Sequence, residues 1–182
     1  MRRGCSKTTK GDGVRIFLAI IAFIYSPVIF SQEAPVLTGD AFITLAGDWN
    51  GEYIYQNNDG TFDTSDVQID VAISPIPRGI AAVFSMTSAD GSLKQDSDTI
   101  LVSGDGRELD MGTNWLLNEI VVDQGDTILM LDRKEKTDNS QIHYLRSILR
   151  AGPDRFAILT AVKRNEGEDY ILEEQYRFTR KK

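Results

Sequence analysis

The sequence predicts an all-β protein, an antiparallel up-and-down barrel of about eight to ten strands that follows an N-terminal leader. Three observations predict this fold. Apolar and polar residues alternate with a period of two after residue 45, turn residues recur every ten to fifteen residues, and no window of about a dozen residues carries a helical stripe. Consecutive hairpins form a meander, and a meander that closes into a barrel has no exposed edges.

The first 31 residues have the pattern of a cleaved signal peptide. Five basic residues precede an unbroken apolar run over residues 16–24, Pro27 interrupts the apolar stretch, and Ser31 is a small residue suited to a cleavage site. The apolar part, residues 16–30, is shorter than the roughly 20 residues of a membrane-spanning helix. We therefore expect a periplasmic or secreted protein, with a retained membrane anchor as the alternative.

The composition limits the functions open to the mature domain. Removing five basic residues and one acidic residue from the 20 and 27 of the whole chain leaves a net charge near −11. Such a charge argues against binding to nucleic acid or to anionic membrane surfaces. The single cysteine, Cys5, lies in the leader, so thiol catalysis and disulfides are excluded from the mature domain. We expect no cofactor and no membrane insertion of the mature domain, and the oligomeric state is left open.

The elements follow in order from their own patterns. Residues 32–44 form a short lead-in, and residues 45–182 form one barrel domain without an internal linker. The clearest strand alternates Val67, Ile69, Val71 and Ile73 with polar or small residues. Strands are predicted over residues 49–55, 67–74, 80–87, 99–103, 108–111, 115–123, 127–133, 141–150, 155–163 and 169–179.

A Gly47-x-Trp49 motif opens the first long strand, and Arg180 shares the phase of the apolar side chains in the last strand. With this motif and the meander, the chain resembles the calycins, the lipocalin-like superfamily of up-and-down barrels. In calycins a Gly-x-Trp plugs the closed end of the barrel and an arginine of the final strand packs over the indole. The resemblance therefore implies that Trp49 and Arg180 close the barrel.

Aromatic residues on the apolar phases of the strands suit either a ligand cavity or a filled core. We expect a cavity that holds a small apolar or amphipathic molecule without catalysis. The residues expected to face this molecule are Tyr53, Tyr55, Tyr144, Arg146, Glu174 and Tyr176. Glu174 stands out because an inward carboxylate needs a partner, and Arg146 or Arg180 could supply one.

Two other functions stay open: a barrel enzyme with Glu174 as general acid or base, and an envelope protein that recognises a partner through its outer face. The only histidine, His143, is expected on the outer surface because it alternates out of phase with Ile142, Tyr144 and Ile148. Residues 57–66 have part of the spacing of a calcium loop, but Tyr55 would occupy its first ligand position. We expect a hairpin loop there and no metal.

Overall fold

The computed structural model of the protein describes residues 34–182 except residues 58, 138 and 139, so the predicted signal peptide (residues 1–31) and Cys5 lie outside the described residues. Within the described ranges, a 3-10 helix over Gly39–Leu45 precedes eleven strands. The strands are β1 (Gly47–Gln56), β2 (Phe62–Thr64), β3 (Gln68–Ile76), β4 (Gly79–Thr87), β5 (Leu93–Val102), β6 (Glu108–Asp110), β7 (Asn114–Asp123), β8 (Asp126–Lys136), β9 (Ile142–Ala151), β10 (Arg155–Lys163) and β11 (Ile171–Arg180).

The strands form one antiparallel sheet that closes on itself. β1 pairs with β3 on one side and with β11 on the other, and the strands from β3 to β11 follow one another in chain order. Ten strands thus make the barrel, and β2 is an extra strand that pairs with the last three residues of β1. The predicted all-β up-and-down barrel is confirmed.

Two strands differ from the sequence prediction. β5 begins at Leu93, although the alternation predicted a strand only from residue 99. Every residue from Leu93 to Thr99 is exposed, so no apolar phase marks this part of the strand. β2 was not predicted, because it has three residues and all of them are exposed. β2 and the first part of β5 are strands because they form backbone hydrogen bonds with β1 and β4, respectively. The local sequence does not reveal these pairings.

The lead-in before the barrel contributes to the core. Side chains three residues apart lie on the same face of a 3-10 helix, and Phe42 and Leu45 are both buried there, at 1% and 0% exposure. Leu37 is also buried, and its backbone N–H donates to the carbonyl of Gly106 in the β5–β6 turn at 2.8 Å. The residues just before β1 therefore pack as part of the barrel domain.

Trp49 and Arg180 meet at one end of the barrel, called here the closed end. Trp49 is fully buried, and its indole N–H donates to the carbonyl of Leu45 at 2.8 Å. The guanidinium carbon of Arg180 lies 4.3 Å from the centre of the indole. The Arg180 N–H groups also donate to the carbonyls of Thr44, Ala46 and Pro153. One side chain thus links β11 to the indole, to the 3-10 helix and to the β9–β10 turn.

A chain of aromatic contacts leads from the closed end into the barrel. Phe156 meets Trp49 edge-on, with ring centres 6.2 Å apart, and stacks on Phe178 at 5.0 Å. Gly51 makes room for this stack, because a Cβ at that position would lie 2.4 Å from the ring of Phe178. The second residue after the Gly47-x-Trp49 opening therefore has a packing reason to be small.

The barrel wall is interrupted next to β5. β6 has three residues and pairs only with Leu101 and Val102 of β5. In the described part of the chain, residues 93–99 therefore have no strand neighbour on the β6 side; we call them the free edge of β5. The paired residues Leu101 and Val102 stand at the end of β5 whose following turn contacts Leu37 of the lead-in. The free edge is the earlier part of the same strand, so it extends away from the closed end. The interior of the barrel reaches solvent here.

Candidate functional site

The barrel interior contains a cavity of about 470 Å³, a volume typical of small-molecule sites. It lies beyond Phe178, on the side away from Trp49. Its apolar wall consists of Ile69, Phe84, Met86, Met111, Trp115, Ile158, Tyr176 and Phe178, and its polar groups come from Asp96, Ser97, Asp98, Ser147, Thr160 and Glu174.

Strand alternation brings these side chains to the inner face. In β11 every second residue from Glu174 to Arg180 points inward, so Glu174, Tyr176 and Phe178 line the cavity in succession. Directly opposed residues of antiparallel strands share a face. Asp96 is opposed to Phe84, so this carboxylate belongs to the inner face although it is exposed at the free edge.

Tyr53 supports the acidic wall from β1. Its ring stacks on that of Tyr176, with centres 4.7 Å apart, and its hydroxyl donates to Oε2 of Glu174 at 3.2 Å. Burial, followed by the negative charge of Glu174, raises the pKa of Tyr53 to about 12. The same two causes raise the pKa of Tyr176. Both tyrosines are therefore neutral hydrogen-bond donors at physiological pH, and Tyr53 orients the Glu174 carboxylate.

The charged groups of the cavity wall are all acidic in the described part of the chain. Asp96 and Asp98 of β5 stand at the mouth, and Glu174 of β11 is half-buried. None of these three carboxylates forms an ion pair among the described residues. The backbone N–H groups of Ser97 and Thr99 donate to Asp96 and Asp98, at 2.8 Å and 2.7 Å. These bonds fix the carboxylates at the rim without neutralising their charge.

Ser147 adds a buried hydroxyl to the cavity wall. Its side chain lies between Leu131 and Thr160 on the inner face and is 1% exposed. Its Oγ has no hydrogen-bond partner among the described residues. An unsatisfied buried hydroxyl costs about 1–3 kcal/mol, so a ligand that bonds to Ser147 removes this cost.

Two of the residues expected at the site lie elsewhere. Tyr144 and Arg146 are on the outer face of β9, where Arg146 binds Asp132 through two hydrogen bonds of 2.8 Å and 2.9 Å and lies 4.3 Å from the ring centre of Tyr170. Lys134 and Lys163 flank the ring of Tyr144. The expectation that Tyr144 and Arg146 face the cavity is wrong.

The error has a physical cause: β9 carries apolar residues on both faces. Ile142, Tyr144 and Ile148 form the outer phase, whereas Leu145 and Leu149 form the inner phase with Ser147. His143 belongs to the inner phase as well, opposite Glu135 of β8, so its expected outward position is also wrong. It is half-buried and lies outside the cavity wall.

The other expected residues are on the inner face. Glu174 and Tyr176 line the cavity, while Tyr53 and Tyr55 stand behind them, opposite Tyr176 and Glu174 in the β1–β11 register. Glu174 is bonded to Tyr53 rather than to either of the two expected arginines. The sequence analysis did not identify five further residues that line the cavity: Asp96, Asp98, Met111, Trp115 and Ser147. Their inward position becomes visible only once the pairing of the strands is known.

The loop with partial calcium spacing is a local turn. Asp59 accepts hydrogen bonds from the backbone and the hydroxyl of Thr61, at 3.0 Å and 2.6 Å, and these bonds lower the pKa of its carboxyl. Among the described residues, no group of three or more His, Cys, Asp or Glu side chains is arranged to hold a metal ion. Among the residues that the structure describes, none forms an apolar helix of the length needed to span a bilayer.

No family model matches the sequence, and no curated protein matches it. Among solved structures, the chain is similar to the crystal structure of Rv2717c from M. tuberculosis, with a TM-score of 0.53, 11% identity, and coverage of 81% of this chain and 100% of that one. It is also similar to the S-type phycobiliprotein lyase CPES from Guillardia theta, with a TM-score of 0.48, 14% identity, and coverage of 80% and 94%. The likeness to Rv2717c shows the fold alone, a closed antiparallel barrel.

Proposed function

We propose that this protein is a non-catalytic binding protein that holds a small amphipathic molecule inside its barrel. One observation carries the proposal: a cavity of about 470 Å³ with an aromatic and aliphatic wall opens to solvent beside acidic side chains. Each methylene that such a wall removes from water contributes about 0.8 kcal/mol to binding. The polar groups at the mouth suit the hydrated end of the same molecule.

The N-terminal leader is evidence for the cellular location in which this binding occurs. A basic segment, an apolar run and a small residue before the cleavage point are the parts of a secretory signal. We propose that the mature domain acts in the periplasm or outside the cell, where a carrier for a poorly soluble molecule has a use.

Native mass spectrometry tests the binding proposal. The mature domain is incubated with a lipid and metabolite extract, and we expect a one-to-one adduct. Thr160→Phe fills the cavity from β10 and should abolish the adduct. Met86→Trp fills it from β4 and provides a second test in case the first variant does not fold.

The matched control is Val83→Phe, which adds a ring to the outer face of β4, where Val83 is 47% exposed. This variant should retain the adduct of the wild type. If the wild type carries no adduct, or if both filled variants keep it while folded, the proposed function is wrong.

A further inference from the structure

The cavity offers a ligand negative charge that is not balanced within its own wall. Its lining contains three carboxylates and, among the described residues, no lysine, arginine or histidine. Asp96 and Asp98 come from β5, and Glu174 comes from β11. The acidic groups therefore approach the cavity from two separate parts of the barrel.

The basic side chains on the inner face are engaged or stand at the rim. Arg133 donates to Thr113 and to Glu135 and lies over the ring of Trp115 at 4.7 Å, while Arg180 is bound to carbonyls at the closed end. Lys94 is exposed, two residues before Asp96. None of these three cations lines the cavity.

Ser147 provides a second and independent sign of a ligand. Ser147 lines the cavity, and its hydroxyl is buried and has no partner among the described residues. A hydroxyl can accept a hydrogen bond from an ammonium group and donate one to an ether or hydroxyl oxygen. The cavity thus presents an unused polar group below the acidic mouth.

The aromatic wall completes a set of groups that favours a cation. Tyr176, Phe178 and Trp115 line the cavity, and one face of each ring is covered, by Tyr53, Phe156 and Arg133 respectively. A ring face that is open to the cavity attracts an ammonium group. The Tyr53 hydroxyl bonds to Oε2 of Glu174, which keeps this carboxylate in place and leaves its Oε1 available. An anionic head group would face three like charges in the same space.

We infer that the ligand is a cationic amphiphile, whose apolar body packs on Phe84, Met86 and Phe178 and whose ammonium group is attracted by the negative charge of Asp96, Asp98 and Glu174. This inference rests on the proposed binding function and adds the charge of the ligand. It also assigns a binding role to the free edge of β5, which brings two of the three carboxylates to the mouth.

Three probes with the same ten-carbon chain test the inference by isothermal titration below their micelle concentrations: decylammonium, decan-1-ol and decanoate. We expect decylammonium to bind at least about tenfold more tightly than decan-1-ol, and decanoate to bind least. Asp96→Asn with Asp98→Asn, and Glu174→Gln, should each reduce the preference for decylammonium by at least about threefold, so that together they account for the tenfold preference. Ser147→Ala should weaken binding of both decylammonium and decan-1-ol.

The matched control is Glu173→Gln, because Glu173 is exposed beside Glu174 and outside the cavity wall. It should leave the preference unchanged, which separates the site from the attraction of a cation to an acidic protein as a whole. Equal binding of all three probes would overturn the inference and leave the binding function standing. Binding of none of them would overturn both.

Discussion

The buried carboxylate of Asp126 shows how one residue can hold a turn. Asp126 begins β8 and is 3% exposed, and its Oδ2 accepts hydrogen bonds from Nε of Arg150 and, at 2.7 Å, from Nε of Arg155. The other oxygen lies against Gly152, where an added Cβ would come within 2.1 Å. The side chain therefore joins the β7–β8 turn to the β9–β10 turn.

We predict that Asp126→Asn lowers the free energy of unfolding at neutral pH by about 3 kcal/mol, the low end for a broken buried ion pair because both guanidiniums reach water. The control Asp123→Asn should change it by less than about 0.5 kcal/mol, because Asp123 is 53% exposed and 4.0 Å from Arg150. Urea unfolding measures both.

The effect of Asp126 should depend on pH. Hydrogen bonds from Arg150, and then from Arg155, hold the pKa of the Asp126 carboxyl below its ordinary value. Its stabilisation is therefore complete above the pKa of the unfolded carboxyl, near about 4, and is lost as the pH falls through the lower pKa of the folded state. A difference between wild type and Asp126→Asn that stays constant down to about pH 2 would contradict this role.

Single residues also show where sequence reasoning succeeds and fails. The inward position of Glu174 could be predicted because apolar residues mark one face of β11 from residue 174 onward. Before Glu174 the register of β11 with β10 shifts by one residue, at an irregularity between Thr160 and Ala161 of β10. Leu172 therefore pairs with Ala161 and lies on the face of β11 opposite to that of Glu174. Arg146 was misplaced because β9 carries apolar residues on both faces, and its outward direction becomes visible only from the register of β9 and from its bonds to Asp132.

At the level of elements, the closed end depends on contacts between β1, β11 and the 3-10 helix. We predict that Trp49→Ala costs about 3–5 kcal/mol in unfolding free energy, since it removes a fully buried ring. Arg180→Ala should cost less, and the two changes should couple in a double-mutant cycle, because a cation over an indole contributes about 0.5–2 kcal/mol.

Arg180→Lys separates the parts of this contact. Lysine keeps the charge over the indole, but it cannot donate simultaneously to the three carbonyls that the guanidinium reaches. We expect it to recover only part of the loss seen in Arg180→Ala. Strictly additive effects of Trp49→Ala and Arg180→Ala would show that the two residues stabilise the barrel independently.

Elements with a clear apolar phase could be predicted from the sequence, whereas β2 and the first part of β5 could not. The free edge of β5 is exposed on both faces because the short β6 does not cover it. The missing neighbour is a property of the sheet, and no residue between 93 and 99 encodes it locally. The same element carries Asp96 and Asp98, which is why the mouth of the site was missed.

At the scale of the whole molecule, the barrel has two different ends. Trp49, Phe156 and Phe178 fill the closed end, and the cavity occupies the space beyond Phe178 toward the free edge of β5. The sequence predicted the barrel and its closing residues, but alternation alone could not distinguish a filled interior from a cavity. That difference depends on how side chains from separate strands fit together.

The two tryptophans report on the two ends separately. Trp115 lines the cavity, whereas Trp49 is buried behind Phe156 at the closed end. A ligand in the cavity should therefore change the emission of Trp115 and leave that of Trp49 unchanged. Trp115→Phe removes the first signal and keeps the second.

The most direct test of a ligand-binding barrel is a fluorescence titration of the mature domain with decan-1-ol, a neutral probe that does not depend on the charge of the site. We predict a saturable change in tryptophan emission with one site per chain, lost in Trp115→Phe and in the cavity-filling variant Thr160→Phe, and retained in Val83→Phe. An emission that does not change, or an unaltered saturable response in folded Thr160→Phe, would contradict binding inside the barrel.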